Sequence, residues 1–290
     1  MTTTTTRPLR QPAIFIPHGA GPCFFMDWNP TDAWDKTAAY LRGIPASLPE
    51  KPKAILLVTA HWLAPQPSMS SAAQPGMLFD YYGFPPHTYE LKYPAPGAPA
   101  LAERVSALLA GAGFAPQQDA ARGYDHGTFI PLKVAFPDAD IPVLQLSLLQ
   151  SLDAADHVRL GQALAPLRDE GVLIVGSGSL THNLYEFRLG DPHAEAYAAE
   201  FAHWVRDAVR AGDHLRLRQA LAIAPHARRA HPTAEHYLPL LVAAGAARQA
   251  LPASVIEGGI VHGVLSMDSF LFGADLAVGQ DAAASALTTN

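Results

Sequence analysis

Cysteine is almost missing from this chain. Its 290 residues include one, Cys23. That count excludes an intramolecular disulfide and a cysteine-built zinc finger, and it fits a reducing, cytoplasmic setting. No run of about 18 apolar residues occurs, so no transmembrane helix is expected. The first ten residues are rich in threonine and lack the apolar stretch of a secretory signal. Charged residues make up only 16% of the chain, the net charge is −6, and the basic residues are scattered. Neither the basic stripe of a nucleic-acid binder nor a polybasic membrane patch is present. Two things are plentiful. Apolar residues reach 49%, which supports a sizeable core and argues against global disorder. Histidines number thirteen, so any metal would be held by imidazole and carboxylate groups.

Short apolar runs recur along the chain with helical patterns between them. The runs cover residues 13–16, 54–59, 142–148 and 172–175. Being short and nearly continuous, they read as strands buried on both faces. Helical spacing appears over 98–110, over 154–170 with Asp153 as N-cap, over 194–211, and over 234–247 with Thr233 as N-cap. A late strand pair is expected within 254–272. The alternation predicts an α/β fold: a central, mostly parallel or mixed sheet flanked by helices. No long polar linker divides the chain, which favours a single domain over 11–278 with flexible ends at 1–10 and 279–290. The segment 65–99 reads as a long loop, and its aromatic content marks it as functional rather than disordered.

In open α/β sheets ligands bind beyond the carboxyl ends of the strands. Three histidines fall there: His18 after Pro17, His61 after Ala60, and His182 shortly after Gly176-Ser177-Gly178-Ser179. His126 stands in Gly123-Tyr124-Asp125-His126-Gly127. His231 and His236 bracket the entry to a helix; five apart, they cannot share one helical face. A divalent metal takes three or four protein ligands, and imidazole suits zinc, copper, iron and nickel. Each histidine alone reads more simply as a hydrogen-bonded structural residue. Ser177 lies in Gly-Ser-Gly without the spacing of a nucleophile elbow, and a tight strand-to-helix turn is the plainer reading. Cys23 reads as an inert buried thiol. His157, His193, His203, His214 and His226 read as surface residues.

Six segments in order, Pro17-His18-Gly19, Thr59-Ala60-His61-Trp62, Tyr82-Gly83-Phe84-Pro85, Tyr124-Asp125-His126-Gly127, the run from Gly176 to Asn183 and His231-Pro232-Thr233-Ala234-Glu235-His236, resemble those of the class III extradiol ring-cleaving dioxygenases. Within that family the chain is similar to the 4,5-DOPA extradiol dioxygenase-like branch, over residues 12–272. The resemblance implies one α/β domain with a metal site at the strand ends. It implies His18, His61 and His236 as ligands, with His236 standing where other class III members carry a glutamate. It assigns His182 and His126 to the chemistry, His182 as acid/base or as an extra ligand in a resting zinc form and His126 facing the substrate.

The expected substrates are a small aromatic diol and dioxygen, with iron(II) for activity and zinc able to occupy the same site. A histidine suits the proton transfers because its ordinary pKa lies near 6.5. Tyr82, Phe84 and His231 are expected to contact the substrate. Two other functions fit the same residues. A zinc hydrolase would activate water on the histidines, and a non-catalytic metal-binding protein would keep the fold alone. The sequence leaves monomer and homo-oligomer both open.

Overall fold

The computed structural model describes residues 9–191, 193–247 and 253–273. The expected flexible ends lie, apart from residues 9 and 10, outside the described residues. No described helix is long and apolar enough to cross a membrane.

Among the described residues ten strands carry the fold: β1 (Ala13–Pro17), β2 (Ala54–Ala64), β3 (Ser68–Ser70), β4 (Gln117–Asp119), β5 (Val143–Leu149), β6 (Val172–Gly178), β7 (Ala253–Ile256), β8 (Ile260–Val261), β9 (Leu265–Ser266) and β10 (Ser269–Phe272). Eight form one mixed sheet in the order β4-β3-β5-β2-β6-β1-β10-β7, and β8 pairs with β9 separately. The four central strands, β5, β2, β6 and β1, run parallel. Each joins its sheet neighbour with a hydrophobic side chain on either face, as the two-sided apolar runs predict. In β2, Leu56 and Val58 face one core while Ile55 and Leu57 face the other. The period-two alternation is thus hidden in the sequence because both faces are dry. β7 and β10 form the expected late antiparallel pair.

Nine helices flank the sheet among the described residues: α1 (Asp35–Ser47), α2 (Pro99–Gly111), α3 (His126–Ala135), α4 (Ala154–Leu164), α5 (Pro166–Asp169), α6 (Ala196–Arg210), α7 (His214–Ile223), α8 (Ala227–Ala230) and α9 (Leu238–Ala247). Residues of α1 and α3 build one core, and α2, α4, α6, α7 and α9 the other. The expected helix over 154–170 is two helices, because Pro166 cannot donate to the preceding turn. Asp153 caps α4 through the Asp156 N–H at 2.9 Å, a bond worth about 1 kcal/mol. The helix expected from residue 234 begins only at Leu238. Thr233 does not cap it; its hydroxyl donates to Glu235 instead. Residues 233–236 therefore form a turn, which frees His236 from the helix.

At the pole opposite the strand ends, Arg168 is fully buried. Its guanidinium donates to the carbonyls of Gln11, Ala246, Ala247, Phe272 and Gly273. It thereby ties the lead into β1, the last turn of α9 and the end of β10 to one point.

Candidate metal centre and its cavity

Five histidines meet at the carboxyl end of the central strands. His18 follows β1 directly. His61 lies within β2, not after it as expected, because the strand runs on to Ala64 through a register shift between Val58 and Leu63. Such a bulge re-aims the local side chains. His126 is the first residue of α3. His182 follows β6 by four residues, and its N–H donates to the Ala230 carbonyl at 2.8 Å. His236 sits on the turn before α9. That turn crosses close over β6, and a Cβ at Gly178 would fall 2.2 Å from the His236 carbonyl oxygen. Glycine is what lets the two backbones touch.

Ring nitrogens of His18, His61 and His236 all lie within 4.8 Å of one another. Their hydrogen bonds fix which nitrogen is bare. The Ser177 hydroxyl donates its one proton to the Gly127 carbonyl at 2.5 Å, so its oxygen accepts from His18 Nδ1–H at 3.0 Å. His18 Nε2 is left with its lone pair. Glu235 lies 3.1 Å from His236 Nδ1 and holds the proton there. His236 Nε2 is buried with no partner among the described residues. His61 Nε2 lies 3.0 Å from His18 Nε2, and its Nδ1 faces Asp80 at 3.9 Å. Two nitrogens bound at about 2.1 Å and subtending a right angle at a metal stand about 3 Å apart. An orphaned, buried lone pair and a close nitrogen pair both fit a cation held by these three residues. The same donor types also form two overlapping groups, His61 with Asp80 and His126, and His182 with Glu235 and His236.

Burial is the main reason these imidazoles stay neutral. It holds His18, His61 and His236 well below 6.5, and the neighbouring histidines add to the effect. Burial, then His231 and His126, bring His182 down to about 3. A neutral imidazole is the form that ligates. His182 stacks flat on His236, with ring centres 3.4 Å apart. His126 packs against His61, centres 3.9 Å apart.

Asp80, which no sequence pattern marks, organises this side of the site. Its Oδ1 accepts from the His126 ring at 2.7 Å and from the His126 backbone N–H at 3.0 Å. Burial alone would raise its carboxyl, but the His126 and His61 contacts outweigh that and hold it at about 2. Being ionised, Asp80 only accepts, so His126 Nδ1 carries a proton toward it. Asp125 anchors the same corner. It caps α3 through the Thr128 N–H, accepts from Thr59 of β2 at 2.9 Å, and pairs with Arg122 at 2.9 Å.

A cavity of ≈ 910 Å³ opens onto the histidines. His18, His61, His126, His182 and His236 form its floor, and Tyr81, Tyr82, Phe84, Trp28, Phe187 and Leu265 stand among its walls. Tyr81 is fixed by donating its hydroxyl to the Thr88 carbonyl at 2.6 Å. Tyr82 is 92% exposed and stands at the mouth. His231 is not among the lining residues. It is buried, donates from Nε2 to the Leu180 carbonyl at 2.7 Å, and packs against Phe201 and Tyr237. His157, expected at the surface, is fully buried and has both ring nitrogens engaged, with Asp153 and Leu149. Burial pushes the Cys23 thiol far above its ordinary range, which keeps it inert. Gly176-Ser177-Gly178 continues β6 instead of forming the expected turn.

Residues 12–267 match a family described as the catalytic LigB subunit of aromatic ring-opening dioxygenase. A 4,5-DOPA dioxygenase extradiol of Beta vulgaris is 44% identical, over 77% of this chain and 84% of that protein. One of the same name from Escherichia coli is 36% identical, over 91% of this chain and 95% of that protein. A crystal structure of an uncharacterized Escherichia coli K12 protein superposes with a TM-score of 0.73 at 36% identity, covering 91% of this chain and 100% of that one.

Proposed function

Because the chain belongs to the LigB family of aromatic ring-opening dioxygenases, we propose that it cleaves the ring of a catechol-type substrate beside its diol, using dioxygen and a non-haem metal. The observation that carries this reading is the convergence of three neutral histidines, His18, His61 and His236, on the floor of an aromatic-walled cavity. These three would hold the metal. Iron(II), when bound there, would supply the redox chemistry that joins electron-rich catechol to dioxygen, which zinc cannot.

The chain's own residues supply orientation and proton transfer. Tyr81, Phe84 and Trp28 wall the flat ring, and Tyr82 covers it at the mouth. His182 is the acid/base. Burial keeps it neutral at pH 7, so it meets the substrate with a lone pair able to take a catechol hydroxyl proton. Held beside the ring, His182 is placed to return that proton as the ring opens. His126 lines the cavity with its Nδ1–H pinned to Asp80. A carboxylate behind an imidazole orients it and steadies positive charge on it. Ser177 and Glu235 perform the same orienting task for His18 and His236.

A second reading, a zinc hydrolase, draws on the all-nitrogen donor set, which suits zinc as well as iron. Metal identity separates the two. The protein is loaded with iron(II) under anaerobic conditions, then mixed with oxygen and a panel of catechols. Oxygen uptake with visible absorbance from a ring-opened product is expected. His18→Ala and His61→Ala should lose metal and turnover together. Catechol cleavage by metal-depleted protein would overturn the proposal, and ester hydrolysis by the zinc form without oxygen uptake by the iron form would favour the rival.

A further inference from the structure

The walls of the cavity are unequal in charge. Among the described lining residues there is no lysine and no arginine. One side chain of the wall is a carboxylate, Asp27, nine residues beyond His18 on the loop that leaves β1. It is exposed, and no described residue pairs with it. Two arginines outside the lining, Arg229 and Arg188 (next to the lining residue Phe187), are already engaged. Arg188 contacts Asp191 and Glu195, and Arg229 contacts Glu186 and Glu195. A substrate side chain that reaches out from the ring therefore finds a free negative charge and no free positive one.

We propose that Asp27 selects catechols whose side chain ends in an ammonium group over those that end in a carboxylate. This rests on the dioxygenase reading above and narrows its substrate class. The diol end goes to the histidines and the aromatic ring lies between Tyr81, Phe84 and Trp28. The side chain then points toward the rim, where an ammonium pairs with Asp27. A carboxylate at the same place meets like charge. An amino-acid side chain would engage through its ammonium and leave its carboxylate toward solvent. An exposed ion pair shifts affinity by about 1.4- to 5-fold. Discrimination between ammonium and carboxylate adds attraction to repulsion and spans about an order of magnitude.

The test compares three catechols of equal reach: aminoethyl, ethyl and carboxyethyl. Binding to the zinc-loaded full chain is measured by calorimetry without oxygen, and oxygen uptake is measured with the iron-loaded chain. The expected order of affinity is aminoethyl, then ethyl, then carboxyethyl, with the spread shrinking at high salt. In Asp27→Asn the aminoethyl-to-ethyl ratio should fall toward one, and in Asp27→Lys the order should reverse. Ratios within one variant cancel any general loss, and an exposed position tolerates both changes. Carboxyethyl binding as tight as aminoethyl in the wild type would overturn the proposal, as would a ratio that survives Asp27→Asn. Charge-ordered binding without oxygen uptake on any of the three would defeat the dioxygenase reading alone. Ring cleavage without charge order would defeat the Asp27 proposal alone.

Discussion

Replacing Ser177 with alanine tests the tautomer argument at a single atom. Its oxygen accepts from His18 Nδ1–H at 3.0 Å and donates to Gly127 at 2.5 Å. Removing it leaves one buried donor and one buried acceptor unpaired. Each such group costs about 1–3 kcal/mol, so the metal-free protein should lose about 2–6 kcal/mol of stability, less whatever a trapped water recovers. At this chain length about 2 °C of Tm accompanies each kcal/mol. The second effect is the informative one. Without an acceptor for Nδ1–H, His18 is free to place its proton on Nε2 and to rotate, which blocks the lone pair that the metal needs. Loss of such an orienting partner typically weakens metal affinity about 10- to 100-fold. Zinc or cobalt titration by calorimetry reads that change, and a thermal melt of the metal-free protein reads the first. A variant whose Tm falls while its metal Kd stays within twofold of the wild type would refute the reasoning, since the hydroxyl would then serve folding and not the site.

His182→Ala should bind metal within a few-fold of wild type but lose about 10²- to 10⁴-fold in turnover, the usual contribution of a positioned acid/base; equal loss of metal would make His182 a ligand instead. The metal-free protein should weaken in mild acid. His231 titrates near 4 in the fold, held down by burial, against 6.5 when unfolded. The unfolded chain therefore binds the proton first, and this contribution is whole above pH 6.5 and drains away as pH falls toward 4. At pH 5 His231 alone removes about 2 kcal/mol relative to pH 7, and the other buried histidines act in the same direction. Urea unfolding at the two pH values checks the slope, and equal midpoints would contradict it.

The sequence was most readable where burial was simplest. Strands dry on both faces announce themselves as apolar runs, and His18, His61 and His182 stand out by their place after such runs, whereas His126 and His236 take their roles from the family resemblance. What escaped notice had no period to reveal it. All but one residue of α3 is buried, so its pattern shows no polar face, and Pro131 within it argues against a helix. The polar break at Thr59 looks like a strand end, so His61 reads as lying beyond β2; tertiary pairing with β5 carries the strand onward. Asp80 lay in a loop without regular structure, and only the fold brings it to His126. His157 reads as polar and therefore exposed, yet two backbone bonds satisfy it indoors. The break at Pro166, by contrast, was written in the sequence, since proline inside a helical run is a stop signal.

The five carbonyls gathered by Arg168 bear on how the molecule is handled. Gln11 and Gly273 both accept from that one guanidinium, and Phe272 pairs with Ala13 across β10 and β1. The two ends of the described domain thus leave it side by side, at the far pole from the cavity mouth. A fusion partner or surface linker attached at either end would hold the protein with its opening turned outward. The same closeness makes the fold a candidate for circular permutation, with the old ends joined across a short bridge and a new break in an exposed loop.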